Sequence, residues 1–181
     1  LRRAILDGEL EGTLAFFRDE YRMDAAVARF PKPVVSLMDG VVMGGGIGIG
    51  GHASHRVVTE RSRVGFPEVT IGFAPDVGAS WLLSRPAARR VGAWMALTGQ
   101  PVGPAAAIRI GLADHHVPSD RLDALVERLE REDADAAITA LAAEPAPGAG
   151  DAVPAAFDEP TVEGVLAALD AGSDDERETA A

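Results

Sequence analysis

The stretch that decides the fold of this chain is PVVSLMDGVVMGGGIGIGGHASHRVVTERSRVGFPE, residues 33–68. It begins with a short, β-branched run at residues 34–38, which an Asp-Gly pair closes, and this pattern predicts a buried strand. Two further strands are predicted at residues 56–59 and 64–66, the latter ended by a proline that lacks a ladder donor. Between the first strand and the strand at residues 56–59 lies a glycine cluster that can turn the backbone sharply. The stretch therefore predicts short strands around a glycine turn.

Helical patterns precede and follow this stretch. From residue 12 to residue 30, apolar residues recur at spacings of three and four, which predicts one helix with an apolar face. That face comprises Leu14, Phe17, Tyr21, Ala25 and Ala28. The other predicted elements are helices at residues 76–83, 87–97, 104–110 and 161–169, a helix capped by Ser119-Asp120, and a last strand at residues 112–117.

Composition places the chain among ordinary globular proteins. It has 181 residues, of which 47% are hydrophobic and 25% charged, and it contains no cysteine. Without cysteine there is no disulfide framework, no thiolate metal site and no cysteine nucleophile. Neither a secretory signal nor an apolar run of bilayer length is visible, which favours the cytoplasm and argues against a membrane partner.

The charge is unevenly distributed along the chain. Residues 1–119 hold 13 Lys and Arg against 11 Asp and Glu, a net charge of +2, while residues 120–181 hold 4 against 17, a net charge of −13. Nucleic-acid binding requires clustered positive charge, so no nucleic-acid partner is expected. Beyond Ala143 the sequence becomes rich in Pro, Ala and Gly. We therefore predict a core at residues 1–143, followed at residues 144–181 by a linker, a short helix and an acidic tail.

The glycine cluster is the first candidate site. Amides near Gly44, Gly45 and Gly46, at the start of a short helix, could face an anion or a polarised carbonyl oxygen and form half of an oxyanion hole. The alternative is a tight turn that binds no ligand. The pattern G-x-G-x-x-G at Gly46, Gly48 and Gly51 is typical of dinucleotide binding. However, only about five residues follow it before the next strand, too few for the required crossover helix.

The acids Glu68 and Asp76 in FPEVTIGFAPDVGAS form the second candidate site. Each lies beside a proline, and apolar residues separate them. Desolvation in such a loop would raise the pKa of a carboxyl, which suits a general base or a nucleophile. The alternative is that each acid only forms a turn or a cap, and Asp76 is a plausible helix N-cap.

The four histidines predict no metal site. His52 and His55 are one helical turn apart, but no third ligand is indicated nearby. His115 and His116 alternate between the faces of a predicted strand. We expect structural roles for all four.

The order of these motifs resembles that of the enoyl-CoA hydratase/isomerase (crotonase) superfamily over roughly residues 14–130. The residues that carry the resemblance are the stretch PKPVVSLMDGVVMGGGIGIGGHASHRVVTERSRVGFPEVTIGFAPDVGASWLLSR, then ALTG, then AIRIGLADHHV. The resemblance implies an α/β fold, a spiral of β-β-α units followed by C-terminal helices. It also implies an acyl-CoA thioester substrate, no metal or redox cofactor, and a possible homo-oligomer.

Within the superfamily, FFRDEY, MGGGIGIG, FPE and APDVGAS resemble the 3-hydroxyisobutyryl-CoA hydrolase family. Hydratases carry a glutamate two residues after the triple glycine, where this chain has Gly48. In the hydrolase family the middle glycine donates an oxyanion amide, which matches Gly45. The glutamate and aspartate matching Glu68 and Asp76 are catalytic, and the glutamate matching Glu20 contacts substrate. Whether Glu68 attacks as a nucleophile or activates water is left open.

The resemblance thus implies hydrolysis of 3-hydroxyisobutyryl-CoA to 3-hydroxyisobutyrate and CoA, a step of valine breakdown. Two alternatives are an enoyl-CoA isomerase or hydratase of the same fold, and a non-catalytic fragment that binds acyl-CoA. Members of the family place a second oxyanion donor and the first β-β-α turns upstream of the FFRDEY helix. We therefore expect this chain to lack those first units and part of the C-terminal helical region.

Overall fold

The computed structural model describes Arg3, residues 6–8 and residues 10–172. The predicted acidic tail at residues 173–181 lies outside these residues. The first long element is helix α1, Leu10–Ala28. The strands are β1 (Val35–Met38), β2 (Val41–Met43), β3 (His55–Val58), β4 (Arg63–Gly65) and β5 (His115–His116). The other helices are α2 (Gly45–Gly51), α3 (Ala79–Leu83), α4 (Arg89–Thr98), α5 (Pro104–Arg109), α6 (Leu122–Leu129), α7 (Ala134–Thr139) and α8 (Val162–Ala171).

The strands form two small parallel sheets. One has the order β1-β3-β5, with Val35 opposite His55, and the other pairs β2 with β4, with Val41 opposite Arg63. In each repeat the chain passes from one sheet to the other and then into a helix, as in β1-β2-α2 and β3-β4-α3. Equivalent strands of successive repeats are therefore neighbours. This is the spiral of β-β-α units that the motif order implies.

Two clusters of buried side chains hold the repeats together. The larger fills the space between the sheets and helices α2 to α5, and includes Met38, Val58, Val64, Phe66, Leu82, Met95 and Val102. The smaller lies against the other face of β3 and comprises Val57, Val117, Leu125, Ala137 and Ile138. Adjacent residues of β3 point to opposite faces of the sheet, so Val57 and Val58 belong to different clusters. Burial of these side chains is the main stabilising term of the fold.

Helix α2 contains five glycines, and at four of them a neighbouring side chain approaches closely. A Cβ at Gly50 would lie 2.9 Å from Sδ of Met38, and a Cβ at Gly51 would lie 3.1 Å from Ile47. A helix with this many glycines has a poor intrinsic propensity. Packing against β1 and α3 therefore maintains it, and this close packing sets the position of its first turn.

Several predicted elements are confirmed, and others are corrected. The strand predicted at residues 112–117 is only two residues long, because the amides of Leu112 and Ala113 bond to the carbonyl of Ala107 instead of a strand. Strand β2 was not predicted; it follows the Asp-Gly turn directly. Helix α7 was also missed, although the side chain of Asp133 caps it by accepting from the amide of Ala136 at 2.9 Å.

The predicted apolar face of α1 is only partly buried. Leu14 and Tyr21 are 52% and 41% exposed, whereas Thr13 and Asp24 are buried. The packed face of α1 is partly polar because it borders a cleft and the first helical turn after the triple glycine. Periodicity correctly predicted the helix, and the most buried positions, Thr13 and Asp24, are each one residue before a position of the predicted face.

Residues beyond Ala143 pack on the core. Phe157 and Val165 are buried in the larger cluster, and Arg90 and Arg109 form ion pairs with Asp158 and Asp151. The division of the chain at residue 143 stays a prediction. None of the helices in the described part of the chain has the length and hydropathy needed to span a membrane.

Candidate active site

One cleft of about 750 Å³ contains all the predicted site residues. Its wall is formed by α1, the start of α2, the turn that begins at Glu68, and the loop that ends at Val77. The four residues Glu20, Gly45, Glu68 and Asp76 come from these four separate segments and line the same space. The tertiary structure thus brings together groups that are up to 56 positions apart in sequence.

Glu68 is the most buried of the three carboxylates in the cleft. It opens a 3-10 turn, Glu68–Ile71, directly after Pro67, and it is 6% exposed. Its Oε2 accepts no hydrogen bond from any described residue. Burial raises the pKa of Glu68, and the charge of Asp76 raises it further. This confirms the expected effect of an apolar loop on a carboxyl at this position.

The glycine turn lies against two of these carboxylates. A Cβ at Gly44 would lie 3.7 Å from Oε1 of Glu68, and a Cβ at Gly45 would lie 2.9 Å from Oε1 of Glu20. Gly44 has a φ of 53°, and its carbonyl accepts from the amides of Ile47 and Gly48. The amides of Gly45 and Gly46 precede the first intrahelical bond, and no side chain caps them. They are therefore available to an acceptor in the cleft.

Glu20 projects from α1 toward this turn. Burial is the largest cause that raises the pKa of Glu20, followed by the charges of Asp76 and Asp24. Three negative side chains thus lie close enough to oppose one another's ionisation. A site of this kind favours a ligand that donates protons or hydrogen bonds.

Asp76 is held by a residue that sequence reasoning did not select as functional. The hydroxyl of Tyr21 donates to Oδ2 of Asp76 at 2.7 Å, across 55 positions. The alternative role of Asp76 as a side-chain N-cap is wrong. Helix α3 begins at Ala79 after Gly78 and has no side-chain cap, although the backbone carbonyl of Asp76 accepts from the amide of Ala79 at 2.7 Å.

The residue after Asp76 has a strained backbone. Val77 has a φ of 45°, the only positive value among the described residues other than glycine, and it is 3% exposed. A buried β-branched residue adopts this conformation only where its surroundings enforce it. Nε2 of His52 donates to the carbonyl oxygen of Val77 at 2.9 Å, and the His52 ring stacks on Trp81. His52 therefore has a structural role, as expected, but one that bears on the site.

Asp24 is a second residue that the pattern did not indicate. It is 5% exposed, and neither carboxylate oxygen meets a donor among the described residues. Burial raises the pKa of Asp24, the electrostatic interaction with His52 lowers it, and the charge of Asp76 raises it. A Cβ at Gly48 would lie 3.0 Å from Asp24 Oδ2, so glycine at this position makes room for the acid. Asp24 resembled an ordinary surface acid in sequence, because its burial depends on α2.

The remaining candidates have structural partners. His55 contacts Ser54 and Asp135, and Nδ1 of His116 donates to the carbonyl of Ala143. Glu60, two residues after β3, accepts a hydrogen bond from the amide of Ser119. Over the described ranges, no group of three or more His, Asp or Glu side chains is arranged to hold a metal ion.

Two curated proteins similar to this chain carry the name 3-hydroxyisobutyryl-CoA hydrolase. The chain is 44% identical over 110 residues to a protein of Arabidopsis thaliana named probable 3-hydroxyisobutyryl-CoA hydrolase 3, covering 61% of this chain and 29% of that protein. It is 40% identical over 130 residues to the mitochondrial 3-hydroxyisobutyryl-CoA hydrolase of Gallus gallus, and the match covers 70% of this chain and 34% of that protein. The chain spans about a third of the length of these relatives.

Solved structures similar to this chain have related names and the same fold. A structure titled carnitinyl-CoA dehydratase from Mycobacterium thermoresistibile superposes with a TM-score of 0.80 at 44% identity, covering 92% of this chain and 50% of that one. A structure titled enoyl-CoA hydratase from Rhodobacter sphaeroides 2.4.1 superposes with a TM-score of 0.82 at 37% identity, and the match covers 99% of this chain and 53% of that one. The sequence pattern that defines the enoyl-CoA hydratase/isomerase family matches residues 1–181. Together with the β-β-α spiral and the glycine turn, these similarities show that the chain belongs to the enoyl-CoA hydratase/isomerase family, with a crotonase fold.

Proposed function

We propose that this chain carries the catalytic site of an acyl-CoA thioester hydrolase, and that its substrate is 3-hydroxyisobutyryl-CoA. The observation that carries the proposal is that Glu68, which is buried and whose Oε2 accepts no hydrogen bond from the described residues, lines the same cleft as Asp76 and Gly45. Hydrolysis needs a nucleophile or base, a proton carrier and an oxyanion donor, and these three residues offer one group for each. The names of the curated relatives support the choice of substrate.

The first step places negative charge on the thioester carbonyl oxygen. In the proposed complex this oxygen accepts a hydrogen bond from the amide of Gly45. A donor that is already oriented stabilises the developing charge more than water does, because it needs no reorganisation. The removal of one such donor typically costs about 10²- to 10³-fold in kcat.

The attack on the carbonyl carbon that produces this charge can involve Glu68 in one of two ways. As a nucleophile, its carboxylate forms a bond to the carbonyl carbon, the carbon–sulfur bond breaks, and water hydrolyses the resulting mixed anhydride. As a general base, it takes a proton from a water that attacks the same carbon. In both routes the leaving CoA thiolate must gain a proton, and Asp76 is the carboxyl placed to handle it. The raised pKa of Glu68 makes its ionised form a stronger base.

Aromatic side chains form the apolar wall of the cleft. Phe17 of α1 stacks on Phe73 of the loop before Asp76, with ring centroids 6.1 Å apart and an interplanar angle of 20°. Both rings line the cavity together with Ile71. In the proposed complex this wall covers the acyl chain and limits bulk water, which strengthens the electrostatic interactions at the reacting carbon.

The direct test is the release of free thiol from 3-hydroxyisobutyryl-CoA by purified protein. Glu68→Gln and Asp76→Asn should each lower kcat by at least about 10²-fold, since each removes a reacting carboxyl. Glu127→Gln, on the exposed surface of α6, is the control and should match the wild type. Full thiol release by both cleft variants would rule out this site.

A second candidate is hydratase or dehydratase chemistry in the same cleft. It is favoured by the titles of the two solved structures, which cover more of this chain than the curated relatives do. Glu68 would then move a proton at the carbon next to the thioester. Incubation with crotonyl-CoA distinguishes the two: loss of the conjugated double bond without thiol release supports this candidate, and the reverse supports the hydrolase.

A non-catalytic role is the third possibility that the sequence left open. Calorimetric binding of CoA thioesters without turnover of either substrate would support it. A place in valine breakdown, a homo-oligomeric state and the absence of a metal or redox cofactor stay predictions. The cytoplasm also stays a prediction, since the Gallus gallus relative is named as a mitochondrial protein.

A further inference from the structure

The hydroxyl of Tyr21, on α1, reaches Asp76 in the loop that ends at Val77. It donates to Oδ2 at 2.7 Å, which is within the normal range for an O–H···O bond to a carboxylate. The other oxygen, Oδ1, accepts no hydrogen bond from any residue in the described part of the chain. One half of the Asp76 carboxylate is therefore engaged, and the other half is available to a ligand.

Aromatic packing holds the Tyr21 ring in place. Its centroid lies 6.1 Å from that of Phe17, which in turn stacks on Phe73. Phe73 belongs to the same loop as Asp76. The three rings thus connect α1 to the loop that carries the acid, and the hydroxyl completes this connection with a polar contact.

We propose that Tyr21 is a positioning residue, whose hydrogen bond to Oδ2 orients the Asp76 carboxylate so that Oδ1 exchanges the proton with the substrate. This inference rests on the proposed function for its chemistry, because it assigns the role of proton carrier to Asp76. The hydrogen bond itself is independent of which acyl-CoA the site accepts.

Tyr21 orients the acid but does not itself carry the proton. Burial raises the pKa of Tyr21 to about 12, aided by the hydrogen bond to Asp76 and the charges of Asp76, Glu20 and Asp24. At neutral pH the phenol therefore keeps its proton and remains a donor. A carboxylate without this donor could rotate about its side-chain bonds, and a misplacement of about 1 Å in a reacting group can cost about 10²-fold in rate.

The first experiment follows the Tyr21 phenol by absorbance. Tyr21 is the only tyrosine of the chain, so phenolate absorbance reports this side chain alone. The wild type should ionise near pH 12, and Asp76→Ala should shift the midpoint down toward the ordinary tyrosine value of about 10. Tyr21→Phe gives the blank, and circular dichroism at each pH confirms that the chain remains folded. An unchanged midpoint in Asp76→Ala would overturn the proposal.

The second experiment separates orientation from stability. Tyr21→Phe removes one oxygen and keeps the ring packing, so kcat for thiol release should fall about 10- to 100-fold with KM changed less than about threefold. Met23→Leu is the matched control, a half-exposed residue on the same helix, and it should retain full activity. A Tyr21→Phe variant with wild-type kcat would overturn the positioning role.

The two experiments also separate failure of this inference from failure of the proposed function. A wild type that releases no thiol from 3-hydroxyisobutyryl-CoA contradicts the proposed function. In that case, the same kcat comparison with crotonyl-CoA tests the positioning role of Tyr21. A wild type that turns over neither substrate overturns the inference as well, since Asp76 then has no proton to exchange.

Discussion

Nε2 of His52 donates a hydrogen bond to the carbonyl oxygen of Val77 at 2.9 Å, although the two residues are 25 positions apart. Val77 directly follows Asp76 and has a left-handed backbone with a φ of 45°. The ring of His52 stacks on Trp81, which also contacts the guanidinium of Arg85, 4.4 Å from the ring centroid. The backbone next to Asp76 is thus held by His52, the residue that follows α2, while Tyr21 of α1 holds the side chain.

Replacement of His52 tests this backbone contact. His52→Phe keeps a ring against Trp81 but removes the donor, and the loss of one such bond costs about 0.5–1.5 kcal/mol. We expect Tm to fall by about 2–4 °C and kcat to fall about 10-fold, because Val77 can relax and displace Asp76. Thermal unfolding and thiol-release kinetics measure the two effects. In the control His55→Phe, which loses contacts outside the cleft, only Tm should change; equal kcat losses would contradict the role of His52.

Gly78 lies where a side chain would collide with His52. It has a φ of +81°, and a Cβ there would lie 2.6 Å from Nε2 of His52. Gly40 has nearly the same φ, +84°, and a Cβ there would have no atom within 4 Å, so Gly40→Ala measures the backbone cost alone. That cost is about 1–2 kcal/mol. In chemical denaturation, Gly78→Ala should lower the free energy of unfolding by at least about 1 kcal/mol more than Gly40→Ala does. Equal losses in the two variants would show that His52 moves aside without cost.

Gly45 and Gly46 offer a similar comparison at the start of α2. A Cβ at Gly45 would lie 2.9 Å from Oε1 of Glu20, whereas a Cβ at Gly46 would have no atom within 4 Å. Gly45→Ala should displace Glu20 and lower kcat/KM by about 10-fold or more. Gly46→Ala should keep activity and gain about 0.5–1 kcal/mol from the better helix propensity of alanine. A Gly45→Ala variant with full activity would contradict the prediction and would show that the acyl group binds away from Gly45.

Asp24 predicts a pH-dependent stability. Because burial raises its pKa above the ordinary value of 3.8, the folded state binds this proton more tightly than the unfolded chain does. The associated stability is present below pH 3.8 and is lost as the pH rises through the folded-state pKa. Asp24→Asn should therefore be more stable than the wild type at about pH 7 to 8, with a difference that shrinks toward about pH 4.

Denaturant titrations at several pH values provide the measurement for Asp24. Asp19→Asn is the control on the same helix, since Asp19 is exposed and forms only a surface pair with Arg22. It should show little change at any pH. A difference between wild type and Asp24→Asn that stays constant from about pH 4 to pH 8 would contradict the raised pKa.

Much of the fold follows from local sequence patterns. The β-branched runs and their turn residues predicted β1, β3 and β4 to within one residue at each end, because short buried strands have a strong local signature. Strand β2, with only three residues after a turn, lacked that signature. The last strand was predicted too long, because the hydrogen bonds of Leu112 and Ala113 to Ala107 are set by the preceding helix.

The residues of the site also differ in whether the sequence alone could indicate them. Gly45, Glu68 and Asp76 could be selected because each lies in a short motif whose residue types suit thioester chemistry, and Glu20 because FFRDEY resembles a motif of the hydrolase family. Tyr21 and His52 could not, since their partners lie 55 and 25 positions away. Asp24 had no signal either, because a carboxylate on a helix is usually solvated.

By itself, the sequence determined the repeat of short strands and helices and the residue types that can react, since both depend on neighbours along the chain. Only the tertiary structure decided which side of α1 faces the cleft, which oxygen of Asp76 is engaged, and which carboxylates lose water. These properties depend on the distance between groups from different segments. Hydrogen bonds and desolvation act over a few ångströms in space, irrespective of separation in sequence.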